Sequence, residues 1–122
     1  MKNYLAFAFA ILLPHVTAAQ QTVDGGQEAF NNHCRTCHVS KPGENRLGPS
    51  LAGIVGRKAS TSQNYAYSDA MKNSGLTWDE ASLDKFIADP DALVQGNKMK
   101  PFNGVSDAAE RAKIIAFLKK AQ

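Results

Sequence analysis

The only two cysteines of this 122-residue chain, Cys34 and Cys37, lie close together, and His38 follows the second one directly. A disulfide between them would close a very small loop, constrain the unfolded chain little and leave His38 without a role. A dithiol oxidoreductase uses the same spacing but needs a preceding strand and alternating strands and helices, which this sequence does not indicate. A zinc site needs four ligands, and His33 adjoins Cys34, so drawing all four from one short stretch is sterically awkward.

The remaining interpretation of the Cys-x-x-Cys-His pattern is the attachment site of one c-type haem. Two thiols at this spacing present on the same side of a helical turn and can add to the two vinyl groups of one porphyrin edge. The adjacent histidine then lies beneath the iron and binds it through an imidazole nitrogen. An exported chain suits this chemistry, because covalent anchoring prevents loss of the haem outside the cell.

The sixth ligand of such an iron is expected to be a methionine. His33 is held on the same side as His38, so ligation by two histidines is unfavourable. Met99 lies in the loop GNKMKPF, between a glycine and a proline, where a core role is not evident. Met71 lies on a short predicted helix, where core packing is the simpler explanation, and it is the fallback ligand. Ligation by histidine and methionine raises the reduction potential relative to two histidines.

Residues 1–19 have the layout of a secretory signal peptide. A lysine near the start is followed by an apolar run from Tyr4 to Leu13, and small residues precede the predicted cleavage after Ala18 or Ala19. The apolar run is too short to span a bilayer. Residues 20–122 are therefore expected to form a single water-soluble domain that is exported to the periplasm.

The charge of the chain does not indicate a nucleic-acid partner. Fourteen Lys and Arg residues face eleven Asp and Glu residues, a formal net charge of +3, and the basic residues are scattered. No acid–base pair and no nucleophile with a base partner suggest catalysis, so the protein is not expected to be an enzyme.

The periodicity of apolar residues is helical nearly throughout. Helices are predicted within residues 25–34, 68–75, 77–89 and 106–122. The third of these is expected to start with a capping box of Thr77 and Glu80 and to end before a proline. The loops between the helices are long, and four short helices provide a thin core, so something apolar and non-protein would complete it.

Several further stretches make the chain resemble the class I c-type cytochromes, a group that includes mitochondrial cytochrome c and bacterial soluble electron carriers. After CRTCH come LGPSLAGIVGRK, YAYSDAMKNSGLTW, an Asp-Pro pair, NKMKPF and IIAFLKK, in the order and near the spacing of that family. The likeness covers nearly all of residues 26–120. It implies an all-α cytochrome c fold of about four to five short helices wrapped around one covalently attached haem c.

The resemblance also implies a role for individual residues. His38 is the expected proximal ligand and Met99 the distal ligand of the iron, with covalent attachment through Cys34 and Cys37. The carbonyl of Pro49 is expected to accept a hydrogen bond from His38 and so to orient its ring. The remaining residues that the resemblance places at the haem are Leu51, Arg57, Tyr67, Trp78, Asn97 and Phe102. Of these, Leu51 packs beside the proximal face, Phe102 lies beside the haem edge, and Arg57, Tyr67 and Trp78 neutralise or hydrogen-bond a buried propionate.

The sequence departs from the mitochondrial pattern on the distal side. Met71 stands where an asparagine is usual, Phe86 replaces a tyrosine, and Asn97 replaces a threonine. We expect the polar network behind Met99 to be thinner than in mitochondrial cytochrome c or differently connected.

The function implied by the resemblance is that of a monomeric, monohaem electron carrier that works by outer-sphere transfer through an exposed haem edge. The expected donor is a membrane complex of the cytochrome bc type, and the expected acceptor is a terminal oxidase or a photosynthetic reaction centre, with only transient encounters at the membrane surface. The alternative is a haem domain with a labile sixth ligand, acting as a peroxidase-like enzyme or a small-gas sensor.

Carriers of this group often surround the haem edge with lysines that steer them to acidic partners. Most of that ring is missing here, although Lys98 and Lys41 are retained. The positions that match lysines of those carriers are occupied here by Glu28, His33, Asp91, Ala92, Ser106 and Asp107. Docking is therefore expected to rely on apolar contact around Phe102 and to be less sensitive to salt.

Overall fold

The computed structural model describes the backbone of residues 18–122 and the side chains from residue 25 onward. The predicted signal peptide lies almost wholly outside these residues, so the signal and its cleavage site stay predictions. From Ala18 onward, no helix is both long enough and apolar enough to cross a membrane.

The described part of the chain contains five α-helices and no β-strand, which confirms the expected all-α class. The helices are α1 (Ala18–His33), α2 (Asp69–Lys72), α3 (Glu80–Ala88), α4 (Pro90–Leu93) and α5 (Ala108–Lys120). The first helix begins earlier than the sequence predicted, and α4 was not predicted as a separate helix.

The first and last helices cross and form one side of the core. The aromatic rings of Phe30 and Phe117 pack with centroids 4.9 Å apart, while Ile114 is fully buried. Gly26 lies at the crossing, where a Cβ atom would lie 2.9 Å from the carbonyl oxygen of Lys113 and 3.2 Å from Cβ of Phe117. A side chain at position 26 would therefore force the two helices apart.

The start of α3 corrects the sequence prediction by two residues. Asp79, rather than Thr77, is the N-cap: its carboxylate accepts a hydrogen bond from the Ser82 N–H at 2.7 Å, and the Ser82 hydroxyl lies 2.9 Å from the Asp79 N–H. Thr77 is unavailable because it forms an antiparallel bridge with Lys58. The chain is therefore still extended at Thr77 and turns into a helix only after Trp78.

The break between α3 and α4 occurs at the predicted Asp-Pro pair. Asp89 ends α3 and also caps α4, since its carboxylate accepts a hydrogen bond from the Ala92 N–H at 3.1 Å. Pro90 takes the first position of α4, where its missing N–H costs nothing. This one-turn helix leads directly into the loop that carries Met99.

Candidate haem site

A cavity of about 470 Å³ lies inside the fold, between the Cys-His turn, the long loops and the inner faces of α3 and α5. Its wall is mainly apolar, with Leu83, Phe86, Ile87, Ile114 and Leu118 contributed by those two helices. The short helices leave this space unfilled, so a bound apolar group would complete the hydrophobic core. All predicted site residues line it: Cys34, Cys37, His38, Pro49, Leu51, Arg57, Tyr67, Trp78, Asn97, Met99 and Phe102.

The two cysteines lie on a turn that continues from the end of α1. The N–H of Cys34 donates to the Phe30 carbonyl at 2.8 Å, and the N–H groups of Cys37 and His38 donate to the Cys34 carbonyl at 3.1 and 2.9 Å. Both thiols are unbonded to each other and both border the cavity. The turn therefore presents the two sulfurs and the imidazole to one space.

Burial raises the pKa of the Cys34 thiol to about 12, with a smaller contribution from the neighbouring charge of Cys37. A cysteine that attacks disulfides is activated by the opposite shift, toward the thiolate at neutral pH. The environment of Cys34 is therefore unlike that of a dithiol oxidoreductase.

The imidazole of His38 is buried, and a hydrogen bond to Pro49 holds it. Its Nδ1 lies 2.8 Å from the carbonyl oxygen of Pro49, so Nδ1 carries the proton and donates it. Burial lowers the pKa of His38, and the bond to Pro49 opposes that shift only in part. The ring is neutral at pH 7, which leaves the lone pair of Nε2 free for a metal.

Gly48 gives the imidazole its space. A Cβ atom at this position would lie 2.3 Å from Cε1 of His38 and 2.8 Å from Nε2, well inside van der Waals contact. The Gly48 N–H donates to the Cys37 carbonyl at 2.8 Å, which ties the loop to the Cys-His turn. The sequence analysis did not single out Gly48, although its place directly before Pro49 is a usable signal.

The three predicted propionate-binding residues all line the cavity. The guanidinium of Arg57 donates to the carbonyls of Ser50 and Ala52, both at 2.9 Å, which fixes its position. The hydroxyl of Tyr67 accepts a hydrogen bond from the Ser62 N–H at 3.1 Å, leaving its own proton to donate. Trp78 is buried against Phe86, with ring centroids 5.0 Å apart.

Ser60 is a cavity residue that sequence reasoning missed. Its hydroxyl is buried, has no hydrogen-bond partner among the described residues and borders the cavity. A buried hydroxyl without a partner is costly, so an acceptor group that fills the cavity would satisfy it. Together with Arg57 and Tyr67, this hydroxyl fits the acidic side chains of a haem.

Met99 lines the cavity and is half-buried in the loop that follows α4. The Lys98 ammonium donates to the Ala66 carbonyl at 2.8 Å and thereby joins this loop to the segment that carries Tyr67. Met71 also borders the cavity, as does Phe86. Two of the three departures from the mitochondrial pattern thus place apolar side chains at the site.

The amide of Asn97 makes hydrogen bonds to protein atoms around the Met99 loop. Its Nδ2 donates to Asp91 Oδ1 at 2.8 Å and to the Val94 carbonyl at 2.9 Å, and its Oδ1 accepts from the Met99 N–H at 2.9 Å. Both amide protons are therefore committed to protein atoms. Asn97 borders the cavity, but its polar atoms hold the Met99 loop and have no proton left for a cofactor.

The cavity thus combines two thiols, a neutral imidazole with a free nitrogen, two thioethers and a cluster of donors for acidic groups. This donor set fits a haem c. Residues 23–122 of the chain match the family model for cytochrome c.

Relatives agree with that match. The chain is 49% identical to "Cytochrome c2 iso-2" of Magnetospirillum fulvum, over 70% of this chain and 88% of the relative. It is 41% identical to "Cytochrome c2" of Blastochloris viridis, over 94% of this chain and 91% of the relative. Among solved structures, cytochrome cH from Methylobacterium extorquens superposes with a TM-score of 0.74 and 45% identity, covering 80% of this chain and 97% of that one. The chain therefore belongs to the cytochrome c family, as a class I c-type cytochrome that carries covalently bound haem c and transfers electrons rather than acting as an enzyme.

Proposed function

We propose that the protein is a periplasmic electron carrier that uses His38 and Met99 as axial ligands of its haem iron. It takes single electrons from a membrane complex of the cytochrome bc type and passes them to a terminal oxidase or a photosynthetic reaction centre. The observation that carries the proposal is the meeting of His38, Met99 and both cysteines at one apolar cavity. The predicted signal peptide supports export.

The haem supplies the one-electron chemistry, and the chain supplies attachment, orientation and a dry environment. Cys34 and Cys37 would anchor the group, and the hydrogen bond from His38 to Pro49 keeps the proton on Nδ1, so that Nε2 would be free for the iron. The apolar faces of α3 and α5 exclude water. Arg57, held by the carbonyls of Ser50 and Ala52, would place a positive charge near the acidic side chains of the group.

The rim of the cavity supports electron transfer by contact between surfaces. Leu47 is 76% exposed and borders the cavity, where exposed Pro101 and half-buried Phe102 also lie. Isolated exposed leucines are common, but this one lies at the opening of the functional site. We take these three residues as the apolar contact through which a partner approaches the haem edge.

Absorption spectra of the holoprotein test the proposed ligands. Met99→Ala should remove the weak far-red band of sulfur ligation from the oxidised form and shift the iron toward the high-spin state. Met71→Ala is the matched control, since Met71 borders the same cavity but lies on α2, and it should keep the band. The reverse outcome would transfer the distal role to Met71, and a high-spin wild-type spectrum would favour the gas sensor or peroxidase.

The proposed partners need a separate test. Host membranes should oxidise the reduced holoprotein rapidly, and an inhibitor of the terminal oxidase, or darkness for a reaction centre, should stop the reaction. Oxidation that is slow and insensitive to both conditions would contradict the proposed acceptors while leaving the ligand assignment untouched.

A further inference from the structure

The loop that carries Met99 is attached to α4 through one carboxylate. Asp91 Oδ1 accepts a hydrogen bond from Asn97 Nδ2 at 2.8 Å, and Asp91 Oδ2 pairs with Lys100 Nζ at 2.5 Å. Asn97 precedes Met99 by two positions and Lys100 follows it directly. The two oxygens of Asp91 therefore hold the loop on both sides of the methionine.

The contact on the Asn97 side continues to Met99 itself. The Asn97 side chain is buried, and its Oδ1 accepts a hydrogen bond from the Met99 N–H at 2.9 Å. The Asn97 N–H donates to the Val94 carbonyl at 3.1 Å, which fixes the turn that leads from α4 into the loop. A continuous chain of hydrogen bonds thus runs from Asp91 through Asn97 to the backbone of Met99.

The base of this chain is rigid. Pro90 is buried, Asp89 caps the helix, and the Val94 N–H donates to the Pro90 carbonyl at 2.9 Å. Val94 is itself buried in the core. Asp91 thus projects from an anchored turn, so a group that it holds has little freedom to move.

We propose that Asp91 is a positioning residue for the sixth iron ligand: by holding Asn97 and Lys100, it limits the opening of the Met99 loop and slows exchange of Met99 for other ligands. This inference rests on the proposed role of Met99. Asp91 does not border the cavity, and its side chain contacts the loop through Asn97 and Lys100, so it acts only through the loop.

The rate at which imidazole replaces the native ligand in the oxidised holoprotein measures the proposed effect, because the loop must open before imidazole can bind. Asp91→Asn keeps an oxygen that can accept from Asn97 but loses the charge that pairs with Lys100. Lys100→Gln removes the same pair from the other end. Asp91→Ala removes both contacts and leaves the buried Asn97 amide without one acceptor.

We expect Asp91→Asn and Lys100→Gln each to raise the imidazole exchange rate about threefold, since exposed ion pairs contribute little on their own. Asp91→Ala should raise it about tenfold, because a buried donor then lacks a partner. In all three variants the far-red band should persist, as Met99 still binds at equilibrium.

Glu80→Gln is the matched control, because Glu80 forms a similar exposed pair with Lys119, 2.5 Å long, and neither residue borders the cavity. It should leave the exchange rate at the wild-type value even if it lowers the melting temperature. Equal rates in wild type and Asp91→Ala, with the far-red band present in both, would overturn the role of Asp91 alone. A wild-type protein without that band would instead overturn the ligand assignment, so the two failures are distinguishable.

Discussion

At the scale of single residues, His38 shows how neighbours along the chain prepare a ligand. Pro49 accepts its Nδ1 proton, and Gly48 leaves room for the ring. Both lie in one short loop that is tied to the Cys-His turn by the bond from Gly48 to Cys37. The same segment therefore sets the tautomer, the direction and the free space of the imidazole.

Replacing Gly48 by alanine should disturb this arrangement. The new methyl group would lie 2.3 Å from Cε1 of His38, so either the ring or the loop must move. We expect the free energy of unfolding to fall by about 1–3 kcal/mol, as overpacking usually costs. The yield of holoprotein should also fall, measured by haem absorbance per protein.

Gly25→Ala is the matched control for Gly48→Ala, since its Cβ would meet only Cδ of Lys113, at 4.0 Å. It should leave both the yield and the spectrum unchanged. A Gly48→Ala protein with wild-type stability and haem content would show that the loop adapts without loss.

How far the sequence could predict the site depends on how local each contact is. Cys34, Cys37 and His38 follow from spacing alone, because their chemistry is set within one turn. The hydrogen-bond partners of Asn97 and the place of Ser60 at the cavity were less predictable. Which atom an amide or hydroxyl faces depends on how the chain turns back on itself, as where the turn after α4 brings Asn97 to Asp91, and residue spacing alone does not show this.

At the scale of elements, the helix boundaries follow hydrogen bonds that local patterns predict only in part. Thr77 and Glu80 satisfy the spacing of a capping box, as do Asp79 and Ser82. The second pair forms because the bridge between Lys58 and Thr77 keeps the preceding chain extended. The end of α3 was predictable, since a proline acts through its own backbone.

The stability that is lost when the cap of α3 is removed should depend on pH in a defined way. Hydrogen bonds from the Ser82 backbone and side chain lower the pKa of Asp79. Since the folded pKa is depressed, the carboxylate stabilises the fold above the ordinary pKa of an aspartate and loses this effect as the pH falls through the lowered one. Asp79→Ala should lower Tm by roughly 4–8 °C at pH 7, and the difference from wild type should shrink in acid.

Ser82→Ala separates the capping geometry from the charge. It removes the hydroxyl that lies 2.9 Å from the Asp79 N–H but leaves the backbone N–H of position 82 to bind the carboxylate. Its Tm difference from wild type should be smaller than that of Asp79→Ala and should vary less with pH. Parallel pH profiles for the two variants would contradict the role given to the Asp79 charge.

At the scale of the whole molecule, the helices and loops surround a cavity. The sequence alone already indicates such a space. Long loops and few core residues pointed to a missing apolar component, while the order of motifs pointed to the family. The sequence could not supply the connections between segments. The bond from Lys98 to Ala66 and the ion pair of Asp91 with Lys100 join parts of the chain whose pairing only the folded structure defines.

The charge at the cavity rim leads to a prediction about docking. Lys100 is paired with Asp91, and the six positions that depart from the lysine ring are all exposed: Glu28, His33, Asp91, Ala92, Ser106 and Asp107. Lys58 and Lys98 also line the cavity, but two lysines attract an acidic partner more weakly than a complete ring would. The rate of electron transfer to host membranes should therefore change less than about threefold between 0.01 M and 0.15 M salt, although the Debye length falls from about 30 to 8 Å.

Placing lysines at two of the exposed positions of the ring should increase the dependence of the rate on salt and so tests the same idea. Ala92 and Ser106 are exposed, and neither side chain hydrogen-bonds to any residue that the structure describes, so Ala92→Lys with Ser106→Lys adds charge without removing such a contact. Because added positive charge strengthens attraction to an acidic partner, the double variant should react faster at low salt and lose that gain as salt rises. If the wild-type rate already falls steeply with salt, charge steering persists without the ring, and the apolar contact formed by Leu47, Pro101 and Phe102 is not the main determinant of docking.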